Sequence, residues 1–266
     1  MSHARPSVTG LRAALGFLTV LPVGPRARVT GLASARVFFP LVGLLLGGAM
    51  VGMDALLAPL LPPLALAAVL VVALVALTRA LHIDGFMDVC DGLWGGYNRE
   101  RRLEIMRDPH VGSFAVIGVV SMLMLKWSML AALPVAARLP ALALFPCLSR
   151  WGVLLAMAVF PYAREEGMGR AFHAGSRRWH VAAGLATAFA AALTLGGPGG
   201  FFLLGVVNGV SWGAGWWMAR LLGGLTGDAY GAVNEVGETA VLLSSVVVGG
   251  LWPGAFSAVR LIEALG

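Results

Sequence analysis

The chain has 266 residues, 59% of them hydrophobic and 12% charged, with a formal net charge of +6 and a mean hydropathy of +0.85. An ordinary soluble domain carries roughly 25% charged residues, so this composition excludes a soluble globular protein; it equally excludes a disordered chain, which needs low hydrophobicity. Apolar residues come in long blocks, as in 64–81, rather than in the period-two alternation of a transmembrane β-barrel. What remains is an all-α fold, a polytopic membrane helix bundle embedded in a lipid bilayer.

The first apolar stretch, 11–23, is short, is broken by Arg12, Gly16 and Pro22, and has no small-residue cleavage site, so it does not read as a signal peptide. A crossing helix needs about 20 mostly apolar residues. Seven candidates follow, at about 37–60, 64–81, 111–133, 139–160, 180–196, 200–222 and 239–260. Pro59, Pro62 and Pro63 separate the first two, Pro134 and Pro140 bracket the link between the third and fourth, and the run 196–200 (Gly-Gly-Pro-Gly-Gly) is a turn. Two cysteines, Cys90 and Cys147, are too few for a disulfide framework and read as reduced thiols. The whole of 1–266 reads as one integral-membrane catalytic domain, because the longest loop, about 82–110, is too short for a separate one.

Cations alternate between the connections. Arg5, Arg12, Arg26, Arg28, Arg36, Arg79, Arg99, Arg101, Arg102, Arg107, Arg164, Arg170, Arg177, Arg178 and Arg220 fall on one side, Arg138 and Arg260 on the other, and Lys126 and Arg150 inside crossings. The positive-inside rule then places the N-terminus in the cytoplasm. Of the 13 acids, all but Asp54 and Glu263 fall on the cytoplasmic side. The excess positive charge is thus a matter of topology and anionic substrates, with no nucleic-acid partner implied.

The chemistry collects after the second crossing. If a helix runs through 82–92, Asp84, Asp88 and Asp91 lie at i, i+4 and i+7, within about 60° of one another on one face. Carboxylates so crowded beside apolar surroundings call for a cation, and hard oxygen donors suit Mg²⁺, Mn²⁺ or Ca²⁺. Gly92, Gly95 and Gly96 end this helix. His82 faces the other way and reads either as an interfacial histidine or as a proton acceptor. After the sixth crossing a second stripe carries Asp228 and Glu235, with Glu238 further round; Thr226 could equally cap that helix and leave Asp228 as a favourable first-turn charge. The segment 98–108 reads as a short charged helix whose arginines, Arg102 and Arg107 among them, either make local salt bridges or bind phosphates, with Leu103, Met106 and His110 on the membrane surface. Lys126 and Arg150 are expensive within crossings and must snorkel, pair with an acid or contact a phosphate; for Lys126, about 15 residues into its crossing, snorkelling is difficult.

Asp88-Val89-Cys90-Asp91-Gly92 and Gly224 to Asp228 resemble parts of the CDP-alcohol phosphotransferase signature, DxxDG and GxxxD. Ala232, however, stands where that signature ends in Asp, and Leu93-Trp94-Gly95 replaces its Ala-Arg pair. A closer resemblance is to the cobalamin synthase family, the adenosylcobinamide-GDP ribazoletransferases. It is carried by 80–96 (ALHIDGFMDVCDGLWGG), 99–118 (RERRLEIMRDPHVGSFAVIG) and 224–238 (GLTGDAYGAVNEVGE), with shorter similar pieces at 17–23, 38–43, 148–151 and 161–167. The resemblance implies that α-ribazole or its 5′-phosphate is joined to adenosylcobinamide-GDP with release of GMP, with Mg²⁺ as cofactor, in the bacterial inner membrane. On this reading Asp84, Asp88, Asp91 and Asp228 hold the metal. Glu235 or His82 accepts the proton of the attacking hydroxyl, and Arg102, Arg107, Lys126 and Arg150 contact phosphates. A homo-oligomer is left open. The competing expectations are a CDP-alcohol phosphotransferase acting on a lipid and an ion-coupled transporter.

Overall fold

The computed structural model describes residues 8–23, 32–164 and 178–256. Among these, eleven α-helices follow one another: α1 Val8–Leu18, α2 Leu32–Ala35, α3 Phe39–Leu57, α4 Pro63–Leu77, α5 Leu81–Gly95, α6 Arg99–Ile105, α7 Ser113–Ala132, α8 Val135–Val159, α9 Arg178–Ala191, α10 Gly197–Leu222 and α11 Gly227–Leu251. Among the described residues there is no strand, only an isolated parallel bridge between Tyr162 and Leu225.

Five helical stretches are long and apolar enough to cross a membrane: Arg36–Leu57, Ser113–Ala132, Val135–Val159, Arg178–Leu222 and Gly227–Leu251. A sixth arises if α4 and α5, bent by 91°, are one broken crossing. Two features separate this count from the expected seven. First, α4 stops at Leu77, and Arg79 and Ala80 adopt left-handed φ values of 52° and 54° before α5 begins. Such values cost a non-glycine residue roughly 1–2 kcal/mol each. The bend is held by backbone bonds, Val20 N–H to Leu77 O at 2.8 Å and Ala80 N–H to Val75 O at 2.9 Å, and by the Arg79 guanidinium on Gly16 O at 2.9 Å. Second, Arg178–Leu222 is a 45-residue helical stretch that folds back on itself at Gly197, where the sequence predicts a turn. The rings of Phe189 and Phe201 lie 5.0 Å apart, whereas an unbroken helix would separate residues twelve apart by about 18 Å.

The bundle is organised around α8, whose residues from Pro140 to Leu154 are all buried. Without a hydrophobic drive between helices in lipid, close packing depends on small residues. Gly43 and Gly47 bring α3 so near α8 that a Cβ at either would collide with a carbonyl oxygen, that of Pro146 or Ala143. At one end of this pair Asp54 and Arg138 form a fork with a shortest contact of 2.6 Å. On the other flank, the Trp151 indole N–H donates to Asn208 of α10 at 2.7 Å, a polar link between the two helices. Both cysteines are free and buried. Gly47→Leu is expected to destabilise the bundle by at least about 1–3 kcal/mol through overpacking. Gly48→Leu, whose Cβ meets nothing within 4 Å, should stay within about 0.5 kcal/mol of the unaltered protein; thermal unfolding in detergent reads the contrast.

Candidate active site

Helix α5, the ends of α8 and α10 and the starts of α7 and α11 meet at the end of the bundle opposite the Asp54–Arg138 pair. Leu225 N–H donates to Pro161 O and Ala163 N–H to Leu225 O, each at 2.8 Å, which sews the segment after α8 to the start of α11. Arg99 donates to Leu222 O at 2.8 Å and Arg102 to Leu221 O at 3.4 Å, so α6 covers the C-terminus of α10 with cationic donors, the favourable sign for that helix end.

Asp84, Asp88 and Asp91 do lie on one helix, α5, as the spacing predicts. That helix is the second limb of the bent pair, turned by 91° from α4 rather than running straight on from it. Gly85 lets it approach α11: a Cβ there would be 2.8 Å from the Cα of Asp228. The two acidic stripes therefore converge, and Asp88 feels the charges of Asp228, Asp84 and Asp91 as well as that of Arg164. Thr226 caps α11 by accepting from Ala229 N–H at 3.1 Å, and Asp228 occupies the first turn. Capping and convergence on the first stripe, which the sequence offers as alternatives, thus coexist.

The four expected metal ligands are not equivalent. Asp91 accepts from Gly112 N–H at 2.7 Å through one oxygen and from Ala115 N–H at 2.8 Å through the other, and so caps the start of α7. Asp228 pairs with Arg164 at 3.0 Å and accepts from Thr226 at 3.3 Å. Asp84, exposed, and Asp88, half-buried, receive no side-chain hydrogen bond among the described residues. Their donor chemistry fits a hard divalent cation. No group of three or more His, Cys, Asp or Glu side chains among the described residues is already drawn together tightly enough to hold one.

Four of the other expected site residues, Lys126, Arg150, Glu235 and His82, come together in a second, deeper cluster. Lys126, within α7, donates to Glu235 at 2.6 Å and to Glu238 at 2.5 Å. Arg150, within α8, donates to Glu238 at 2.8 Å, and Asn234 donates to the same oxygen at 3.0 Å. All five are buried. Of the fates open to Lys126 and Arg150, the structure shows pairing with acids. His82 is buried too, and with Lys126, Arg150, Glu235 and Glu238 it lines a small cavity of about 10 Å³, at the lower limit of what one water molecule needs. Glu235 lies seven residues beyond Asp228, or about 10 Å along the helix.

Arg102 is held on Gly96 O at 3.0 Å and Leu221 O, while Arg107 is exposed and its side chain has no partner among the described residues. The predicted charged helix is α6, capped by Asn98. Met106 is buried against Gly92 of α5 rather than lying on the membrane surface. Beside Asp91 an open cavity of about 300 Å³ is lined by Ile105, Val111 and Phe114 together with Asp108 and His110, a volume in the range of small-molecule sites. Arg164 is the residue that sequence reasoning missed as part of the site. It counted as a topological charge and as part of the family-like piece 161–167, and nothing in its spacing links it to Asp228.

The family profile described as cobalamin-5-phosphate synthase matches residues 10–246. The chain is 42% identical over 255 residues to the adenosylcobinamide-GDP ribazoletransferase of Desulfitobacterium hafniense (strain Y51), covering 90% of this chain and 97% of that one. It is 39% identical to the enzyme of that name from Roseiflexus sp. (strain RS-1), covering 86% of each. Against that of Desulforamulus reducens (strain ATCC BAA-1160 / DSM 100696 / MI-1) it is 36% identical, over 88% of this chain and 94% of the other. No solved structure matches. With the profile running through both acidic stripes and the relatives matched almost from end to end, the chain belongs to the cobalamin-5-phosphate synthase family.

Proposed function

We propose that the chain is an adenosylcobinamide-GDP ribazoletransferase that joins α-ribazole or α-ribazole 5′-phosphate to adenosylcobinamide-GDP, giving adenosylcobalamin or its 5′-phosphate. The observation that carries the reading is the near end-to-end match to relatives of that name. In the reaction a ribazole hydroxyl oxygen bonds to the phosphorus on the cobinamide side, the bridging bond to GMP breaks, and the hydroxyl proton passes to a base.

Phosphoryl transfer is mostly positioning and charge neutralisation. Asp84, Asp88 and Asp228 are the side chains that would hold Mg²⁺, with Asp91 fixing the α5–α7 contact beside them. When bound, Mg²⁺ would neutralise the pyrophosphate and the charge on the departing GMP. Such ions commonly take one or two carboxylates and complete their shell with substrate phosphate and water. That fits a donor set that converges without being fully gathered beforehand. Arg107 is the exposed cation free to meet a phosphate. Glu235 and His82, expected as proton acceptors, are enclosed, and Glu235 is held by Lys126. We read both as part of a buried lock, and assign the hydroxyl proton to the carboxylate oxygen of the exposed Asp84 that would not face the metal.

The reading includes a single catalytic domain with seven crossings of the bacterial inner membrane, α4–α5 forming a broken one and Arg178–Leu222 two. The N-terminus and the acidic end face the cytoplasm. Arg99, Arg102 and Arg164 at the acidic end, against Arg138 paired with Asp54 at the other, support this orientation. Arg5, Arg26, Arg28, Arg170, Arg177, Arg260 and Glu263 lie outside the described residues.

Purified protein in liposomes, given both substrates and Mg²⁺, is expected to release GMP and form the cobalamin product; the absence of GMP overturns the assignment. Asp88→Asn should lower turnover by about a hundredfold or more, the scale of losing one charge-stabilising group. Asp91→Asn should cost about 1 kcal/mol of stability as a weakened cap and affect turnover less than Asp88→Asn does. Lys126→Met leaves two buried carboxylates to one cation, and is expected to destabilise by about 3–5 kcal/mol. Adding Glu235→Gln restores the charge balance and should recover a large part of that loss in denaturation midpoints. A Glu235→Gln variant of normal stability whose turnover falls by about a hundredfold would instead establish Glu235 as the base.

A further inference from the structure

Most cations near the acidic end are committed. Lys126 and Arg150 are held by Glu235 and Glu238, Arg99 and Arg102 by backbone carbonyls, and Arg101 by Glu104. Arg164 differs, because its partner is itself an expected metal ligand. Its Nη2 lies 3.0 Å from the Oδ2 of Asp228 and 3.5 Å from Met106 O. Its Nε is buried with no hydrogen-bond partner among the described residues. The backbone beside it is rigidly placed, since Pro161 and Ala163 are both bonded to Leu225 at the start of α11. Asp88 on α5 also lies within the reach of its charge. A planar, permanently charged donor fork thus stands at the point where α5, α6 and α11 meet.

Resting on the ribazoletransferase reading, we propose that Arg164 grips the substrate pyrophosphate, and that its pair with Asp228 is the resting arrangement which the substrate displaces. Arginine presents two parallel N–H donors to phosphate oxygens, a better match than one carboxylate oxygen offers here. The pair with Asp228 is partly exposed, with side-chain exposures of 15% and 23%, and ion pairs that reach solvent are weak and readily exchanged. When the pyrophosphate enters between α5 and α11, the guanidinium turns from Asp228 to a phosphate oxygen, and Nε gains an acceptor. The same movement frees the Asp228 carboxylate for the cation that accompanies the pyrophosphate. Arg164 makes and breaks no covalent bond and stays protonated. As the bond to GMP breaks, it faces the negative charge that develops on the leaving oxygen.

The two halves of the proposal predict opposite signs for one substitution. Binding of Mn²⁺ alone to the substrate-free protein is read by electron paramagnetic resonance, and GMP release by a single-turnover assay. Arg164→Gln is expected to tighten Mn²⁺ binding by about threefold or more, because a competing cation has left Asp228. It should slow GMP release by about a hundredfold or more, within the scale of arginine contributions to phosphoryl transfer. Weaker Mn²⁺ binding, or release within about threefold of the unaltered protein, overturns the proposal. If Arg164→Gln does not fold, Arg164→Lys decides between the outcomes. It keeps the charge beside Asp228 but not the fork, so Mn²⁺ affinity should change by less than about twofold while release slows by about tenfold or more. Equal loss of both readouts would mark a merely structural residue and overturn the proposal. The Mn²⁺ measurement needs no turnover, so failure of this proposal is separable from failure of the activity assignment, which is read on the unaltered protein.

Discussion

A charge-balanced cluster inside an apolar bundle holds the site together. Lys126 from α7, Arg150 from α8 and Glu235 and Glu238 from α11 bring two cations and two carboxylates into one buried set. Each would be prohibitive alone in such surroundings, and the set is tolerable only while every member keeps its partners. Sliding α11 by a single turn would put one of these glutamates where the other stood and leave a single carboxylate within reach of two cations. The register of α11 against α7 and α8 is therefore strongly specified, and with it the place of Asp228 two turns nearer the helix start.

That register would count for little if α5 did not meet α11 at the same level. Two left-handed residues, Arg79 and Ala80, turn the chain by 91° after α4, and Gly85 removes the side chain that would hold α5 away from Asp228. The result is a division of labour among chemically similar groups. The buried acids, Glu235 and Glu238, are neutralised by fixed cations and stabilise the bundle. The outer acids, Asp84 and Asp88, have no ion-pair partner among the described residues, and for that reason we propose them as ligands of a mobile cation. Asp91 serves a third purpose and caps α7. Asp228 stands between the regimes, bound to an arginine that is only partly enclosed.

Much of this was legible from local pattern. Helical periodicity alone puts Asp84, Asp88 and Asp91 on one face, and the Gly-Gly-Pro-Gly-Gly run marks the reversal within Arg178–Leu222. Proline positions separate the crossings, and Asn98 marks the start of α6. The bend before α5 was not legible, because neither Arg79 nor Ala80 is a residue that favours left-handed backbone; contacts with Gly16 and Val20, some sixty positions away, hold it there. The pairing of Lys126 could be expected in kind, since a buried ammonium needs an acid, but not in identity. Glu235 read as a catalytic base for the same reason: sequence shows an acid on the right helix and not the lysine that holds it.

The sequence by itself determined the class of molecule, the order of its apolar segments, the two acidic stripes and the family. These depend on composition and on periodicities that act within a few turns of chain. Only the tertiary structure decided which acids are open to a cation, which are locked, and which arginine stands beside them. Charge compensation acts through space, over contacts separated by as many as 112 positions between Lys126 and Glu238. Whether a carboxylate in an apolar bundle is a ligand or a strut depends on whether a fixed cation has reached it first.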